Sequence, residues 1–372
     1  MTMQTLSYQV SFNTPAFLGN AEQQGQWRTP PFKALLRQWW RVVKAPDVGY
    51  DHRRLLQLEN ALFGSAADDS GDGQGRSGRS KVQLRLSAWD AGTMHGVPKG
   101  EMVKHDEAPS KQVGANLYLG YGPIGGSVVR TAINPKISPL TLKLRFPAEF
   151  ESEIRCAMQL AHWFGTVGSR SRNGFGAVHF EGDGLLPAKD IKTDALSKLG
   201  VLLVTSRCLH REWPHAIGMD EAGTPTIWRL LKPEGNKLDG FGRWEDVMLG
   251  LAQIKIAVRT APYFKFQGGG PAGHDKPQPR HLLSYPSGNS HSVNGWGKDG
   301  RMANQVRFKV HRRLDGKFMA VIVHLPCALP DKLAHAVKGA IPDQENVWSE
   351  VHRLLDAQKS KGLIHLAGSQ QT

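Results

Sequence analysis

Apolar residues recur at two spacings along this chain, every second position in some stretches and every third or fourth in others. Residues 6–12, Leu-Ser-Tyr-Gln-Val-Ser-Phe, alternate as a half-buried strand does. Thr29-Pro30-Pro31 opens a helix: Thr29 is placed to cap it, and the prolines fill first-turn positions that need no donor N–H. Phe32, Leu35, Leu36, Trp39, Trp40 and Val43 then recur at helical spacing to about Lys44. A second helix is expected over about 51–62, with Leu55, Leu58 and Leu62 on one face. Residues 64–80, rich in Gly, Ser and Asp, read as a mobile loop. Val82, Leu84 and Leu86 mark a strand, residues 90–115 an irregular insertion, and Leu140, Leu142, Leu144 and Phe146 a further strand. Glu149, Glu151 and Glu153 suit the positive end of a helix that runs to Phe164 and stops at Gly165. Residues 177–181 supply a last short strand, which gives a βαββαβ, ferredoxin-like or RRM-like order.

Gly182-Asp183-Gly184 and Pro187 suggest a domain boundary, after which the series repeats. Residues 199–205 are its first strand candidate and 244–258 its first helix. Two strands, 306–310 and 318–323, are joined through Leu314-Asp315-Gly316-Lys317, where Asp-Gly is a hairpin signal. A helix capped by Asp343 carries Trp348, Val351 and Leu355 on one face, and 363–366 closes the series. The expected fold is therefore α+β: two ferredoxin-like domains, 1–183 and 184–372, with long loop insertions at 90–115 and 261–300.

Charge adds a functional direction. Against 33 Asp and Glu stand 47 Lys and Arg in 372 residues, a formal charge of +14 that attracts polyanions. Three scattered cysteines, Cys156, Cys208 and Cys327, make neither a CxxC site nor a disulfide framework and suggest a reducing compartment. With no apolar run near the ~20 residues of a membrane span and no signal pattern, a soluble, cytoplasmic protein is expected.

Two segments concentrate the candidate chemistry. Lys33, Arg37 and Arg41 are spaced i, i+4, i+8 on the first helix, and Lys44 extends the row. Cations a turn apart can follow a phosphodiester backbone, although a solvated basic face is the commoner outcome. The second segment is Gly165 to Gly176, Gly-Thr-Val-Gly-Ser-Arg-Ser-Arg-Asn-Gly-Phe-Gly. Its glycines, Gly168, Gly174 and Gly176 among them, allow an anion-binding nest of N–H groups, and Arg170, Arg172 and Asn173 add donors suited to phosphate. It is neither a Walker A loop nor a GxGxxG fingerprint.

Thr14-Pro15, the helix Pro31 to Arg41, Leu62-Phe63-Gly64-Ser65 and the run Gly168 to Gly176 occur in that order. Together they resemble the CRISPR-associated RAMP superfamily, most of all the first-numbered subunit of type III-B Cmr effector complexes; Arg301-Met-Ala-Asn-Gln305 followed by a basic strand is similar to that subunit's second domain. The resemblance implies a cytoplasmic subunit that caps the complex near the 3′ end of the guide RNA and helps admit target RNA in antiviral defence. Its implied partners are guide RNA, single-stranded target RNA and other Cmr subunits. It also implies RNA-backbone contacts from Lys33, Arg37, Arg41, Arg170, Arg172 and Asn173, with Arg301 and Lys309 as second-domain candidates.

Catalysis is not expected. Residues 1–51 hold no histidine, where relatives that process guide RNA carry a general acid–base. Residues 13–29 offer only Glu22 where target-cutting relatives carry an aspartate. The alternative is a metal-independent endoribonuclease acting on CRISPR repeat RNA through His52 or His162. No cofactor is expected. His274-Asp275, His281 and His291 lack tight metal-ligand spacing, and they and His105-Asp106 are expected in solvated loops. Each cysteine reads as a small buried hydrophobe.

Overall fold

Strand β1, Met3–Phe12, buries Leu6, Tyr8, Val10 and Phe12 and leaves Thr5, Ser7 and Gln9 in solvent, as its alternation requires. The computed structural model describes residues 2–65, 78–127, 130–182, 184–270, 272–287, 289–297, 300–337 and 339–366. Most of the polar stretch at 64–80 lies outside the described residues. The chain divides into two compact units: residues 1–98, 120–201 and 309–314, and residues 99–119, 202–308 and 315–372.

In the first unit the sheet order is β4-β1-β3-β2, with β2 at Gln83–Leu86, β3 at Leu140–Pro147 and β4 at Val178–Glu181, every neighbouring pair antiparallel. The unit's principal helices are α1 (Thr29–Lys44), α2 (His52–Phe63) and α3 (Glu151–Phe164). Helix α1 buries Phe32, Leu35, Leu36, Trp39, Trp40 and Val42. Thr29 is its first residue rather than its cap; Arg28 stands at the cap position without a side-chain hydrogen bond. Helix α2 is capped by Asp51, whose carboxylate accepts from the N–H groups of Arg53 and Arg54 at 2.8 and 3.1 Å.

The second unit centres on β5 (Ile227–Leu230), β7 (Phe318–His324) and β8 (Leu363–His365); β6 (Val306–Arg312), whose residues 306–308 belong to this unit and 309–312 to the first, pairs with β7 in the order β6-β7-β5-β8. Its principal helices are α4 (Trp244–Arg259) and α5 (Gln344–Asp356). Asp343 caps α5 through the N–H groups of Glu345 and Asn346, and Val347, Trp348, Val351 and Leu355 are buried. The expected first strand, 199–205, is displaced. Leu202–Val204 instead makes a separate parallel pair with Ile217–Met219, and Ile227–Leu230 takes the central place beside β7 and β8. A four-residue strand with Ile227, Trp228 and Leu230 all buried shows too short a pattern for alternation to reveal. Within the insertion read at 90–115, Met102–Lys104 and Gln112–Gly114 pair as a hairpin. The result is a mixed α+β protein with several sheets.

Candidate nucleic-acid interface

The cation row of α1 turns inward. Arg37 and Arg41 both donate through Nε to the carboxylate of Glu59 on α2, and Arg41 Nη2 adds a bond of 2.7 Å. Glu59 is 1% exposed, whereas each arginine keeps about 30% of its side chain in solvent. Burial pushes the Glu59 carboxyl up, but the hydrogen bonds and charges of Arg41 and Arg37 outweigh it and hold the group below the usual carboxylate range. Lys44 reaches Glu153 at 2.7 Å and Asp47 at 3.0 Å, and Trp40 Nε1 donates to the same Glu153. Lys33, half-buried at the start of the row, has its pKa lowered by burial and then by Arg37. Of the row expected to follow RNA, Arg37, Arg41 and Lys44 therefore spend their charge joining α1 to α2 and α3. The sequence carried a signal for this: Glu59 shares the buried face of α2 with Leu55, Leu62 and Phe63. A carboxylate on an apolar stripe demands a cation.

Lys309 also departs from expectation. It is fully buried in the first unit, donating to the carbonyls of Gly165 and Val178, and burial drives its pKa well below the ordinary lysine value. An ammonium with no exposed surface cannot meet an external phosphate. Arg301, in the second unit, is exposed and donates to the Gly300 carbonyl at 2.7 Å.

The glycine-rich run is held from both sides. Gly176 N–H donates to Pro15 O at 2.9 Å, Ser169 N–H to Phe17 O at 3.1 Å, and the Thr14 hydroxyl to Gly174 O at 2.7 Å. Within the run, Val167 N–H reaches Gly176 O, Asn173 N–H reaches Arg170 O and Gly174 N–H reaches Ser171 O. Thr14-Pro15 and the loop, separate in sequence, are thus one built unit. The amides of Val167, Ser169, Asn173, Gly174 and Gly176 are committed to the fold, and the loop is clamped beneath the side chains it displays. Two glycines are dictated by close approach. A Cβ at Gly176 would fall 1.9 Å from Val167 O and one at Gly168 2.6 Å from Phe17 O, and both have positive φ. Phe175 is fully buried against Phe17, with centroids 5.5 Å apart. Arg170 is exposed as a residue, although partial burial of its guanidinium lowers its pKa; it holds φ +57°, the left-handed region that an arginine enters only at a cost. Arg172 and Asn173 are half-buried beside it in the chain.

The histidines resolve into packing. His162 is buried, its Nδ1 accepting from Phe180 N–H at 3.4 Å. Burial, aided by Lys309 and His179, pushes its pKa down to about 3. It has no route to a substrate, whereas His52 is exposed at the start of α2. The cluster expected in a solvated loop is an internal stack: Phe266 lies 3.9 Å from His291, 4.7 Å from His281 and 5.4 Å from His274, centroid to centroid. His274 Nε2 and His291 Nδ1 are 3.1 Å apart, and His281 bonds Gln278 N–H and His291 O. His105 is likewise buried, edge-on to Tyr118. Among the described residues, no group of three or more His, Cys, Asp or Glu side chains is arranged to hold a metal ion, and no helix is long and apolar enough to cross a membrane. The three cysteines are free; burial raises the Cys208 thiol to about 12.

No known family profile matches the chain. Over 155 residues, 41% of its length, it is 28% identical to the CRISPR system Cmr subunit Cmr1-1 of Pyrococcus furiosus. The match spans 39% of that curated relative. Among solved structures, the apo crystal structure of Cmr1 from Pyrococcus furiosus aligns over 99% of both chains, with a TM-score of 0.48 and 14% identity. A chain of the type III-B Cmr-beta complex, bound to cognate target RNA and AMPPnP in the presence of ssDNA, aligns over 97% of this chain and 100% of its own, with a TM-score of 0.47 and 9% identity. The chain is similar, at low identity, to components of Cmr complexes.

Proposed function

We propose that this chain is a non-catalytic, RNA-binding capping subunit of a type III-B CRISPR effector complex, gripping guide RNA near its 3′ end or target RNA. In this reading both units are ferredoxin-like, and other Cmr subunits are its protein partners. One observation carries the RNA contact: Arg170 stands exposed on a loop whose backbone is clamped to Thr14, Pro15 and Phe17. A guanidinium on a fixed base is a permanent, planar phosphate donor. The sequence similarity to a Cmr subunit and the surplus of +14 support the same partner.

The test is fluorescence anisotropy of the 372-residue chain with short unstructured single-stranded RNAs across a salt series. Affinity should fall with a log–log slope of about −0.7 per phosphate neutralised and depend little on sequence. Arg170→Ala should weaken every RNA alike and make the slope shallower by about 0.7. An Arg170→Ala protein that matches the parent in affinity and slope would remove the loop from the interface. Discrete cleavage of repeat RNA in EDTA would overturn the non-catalytic assignment. Co-purification of the tagged chain with Cmr subunits and guide RNA tests the assembly.

A further inference from the structure

A second glycine-rich segment, Gly120 to Gly126, meets the clamped loop. A Cβ at Gly120 would stand 2.7 Å from Ile124 Cδ1 and 2.8 Å from Phe175 Cε2, so this segment is seated directly on the ring that anchors the loop. Gly122 has φ +107°, and a Cβ there would be 3.5 Å from Arg170 Nη2. The arginine's guanidinium therefore lies along the backbone at Gly122. The segment folds back sharply: Tyr121-Gly122 pairs with Ile124-Gly125 in register, and a Cβ at Gly126 would fall 2.2 Å from Gly122 O. Ile124 is buried, but Tyr121 is 64% exposed. The fold thus uses glycines and one buried isoleucine to hold a single large aromatic side chain in water, one residue from the glycine that receives the Arg170 guanidinium.

Lone exposed aromatics are ordinary. This one is combined with a cation kept in a strained backbone conformation, on two segments locked together by close contact. Strain retained at a surface position points to a ligand-facing role. An aromatic face beside a guanidinium is how proteins hold single-stranded nucleic acid without reading its sequence, the ring taking a base and the cation the adjoining phosphate. We propose that Tyr121 is a base-stacking platform which, with Arg170, holds one nucleotide of single-stranded RNA. This deepens the RNA-binding reading above and rests on it. The sequence drew attention to Arg170 but not to Tyr121, because nothing in Gly-Tyr-Gly-Pro-Ile-Gly-Gly shows that the run packs against Phe175.

The experiment compares two fluorescein-labelled RNAs of equal length, one with all its bases and one carrying internal abasic sites, on the 372-residue chain and its variants. Tyr121→Ala should weaken binding of the complete RNA by about 5- to 150-fold, the range of one lost stacking contact, and leave the salt slope unchanged. Tyr121→Trp should retain affinity. Abasic RNA should bind the parent more weakly by a similar factor and lose nothing further on Tyr121→Ala. Arg170→Ala should change the slope, which separates the two roles. If the parent binds RNA and Tyr121→Ala binds it equally well, the stacking role is overturned, the RNA reading stands, and this face is left to a protein neighbour. If the parent binds no RNA, the RNA reading fails and takes the stacking role with it. Circular dichroism of each variant should match the parent, since the exposed ring supports little of the core.

Discussion

Two stretches of the first unit carry arginines at close spacing and use them in opposite ways. On α1, Arg37 and Arg41 converge on the buried Glu59, and Lys44 on Glu153. At the loop, Arg170 projects from a backbone whose hydrogen bonds are made elsewhere, to Pro15 and Phe17. Read as sequence both looked like phosphate contacts, the helix row because its period lines up one face and the loop because two arginines stand among glycines. The decisive difference lies in the facing element. A cation opposite a buried carboxylate is part of the fold, and one that lies along a backbone glycine, with no carboxylate facing it among the described residues, keeps its charge for a ligand.

The largest effect expected from that contrast is at Glu59. Glu59→Ala strands two partly buried guanidinium groups and should cost about 3 kcal/mol, the low end for a broken buried ion pair because both arginines keep some water. Urea unfolding measures it. A loss under about 1 kcal/mol would mean the arginines simply turn outward, and the helix row would rejoin the loop as an RNA-facing surface.

Acid should sharpen the comparison further. Burial pushes His162 to about 3 and His281 and His352 to about 4. Below pH 6.5 the unfolded chain binds protons that these folded imidazoles refuse, so stability should fall between pH 6.5 and about 4, by about 3 kcal/mol for each of the three. Glu59 behaves in a separate window. Its folded pKa lies below the ordinary value of 4.5, so the stability its ion cluster confers is complete above pH 4.5 and lost as pH falls through the lower folded value. In Glu59→Gln the loss from pH 6.5 to 4 should remain, and the further loss below pH 4.5 should shrink. An unchanged acid limb in Glu59→Gln would show that the cluster adds nothing to stability.

Much of this was legible in the chain. Alternation places β1, β2 and β3, and helical recurrence places α1 and α5, because each buries one face and exposes the other; α3, buried all round over its second half, is placed by its acidic start and its glycine stop. Asp343 is visible as a cap, since an aspartate just before an apolar stripe has one common use. Ile227–Leu230 was hidden, being buried along most of its length and short. The fate of Arg37, Arg41 and Lys309 was hidden for another reason: which carboxylate or carbonyl faces a cation is set by packing between elements distant in the chain. Tyr121 was missed because the contact of its neighbour Gly120 with Phe175 joins two glycine runs about fifty residues apart in the chain.

The smallest expected effect separates strain from service. Arg170 holds φ +57°, a conformation in which glycine suffers no Cβ penalty. If the arginine is kept for a ligand, Arg170→Gly should leave thermal stability unchanged or raise it by about 0.5 kcal/mol while RNA affinity falls. Arg170→Ala, which keeps the Cβ, should change stability by less than about 0.5 kcal/mol and lose the same affinity. The pair therefore loses affinity alike, while only the glycine variant is relieved of the Cβ penalty. Should Arg170→Gly instead destabilise the fold by more than about 1 kcal/mol, the guanidinium beside Gly122 would be holding the two glycine segments together. Arg170 would then stand with Arg37 and Arg41 as a cation the fold keeps for itself, and the distinction between the two regions would close.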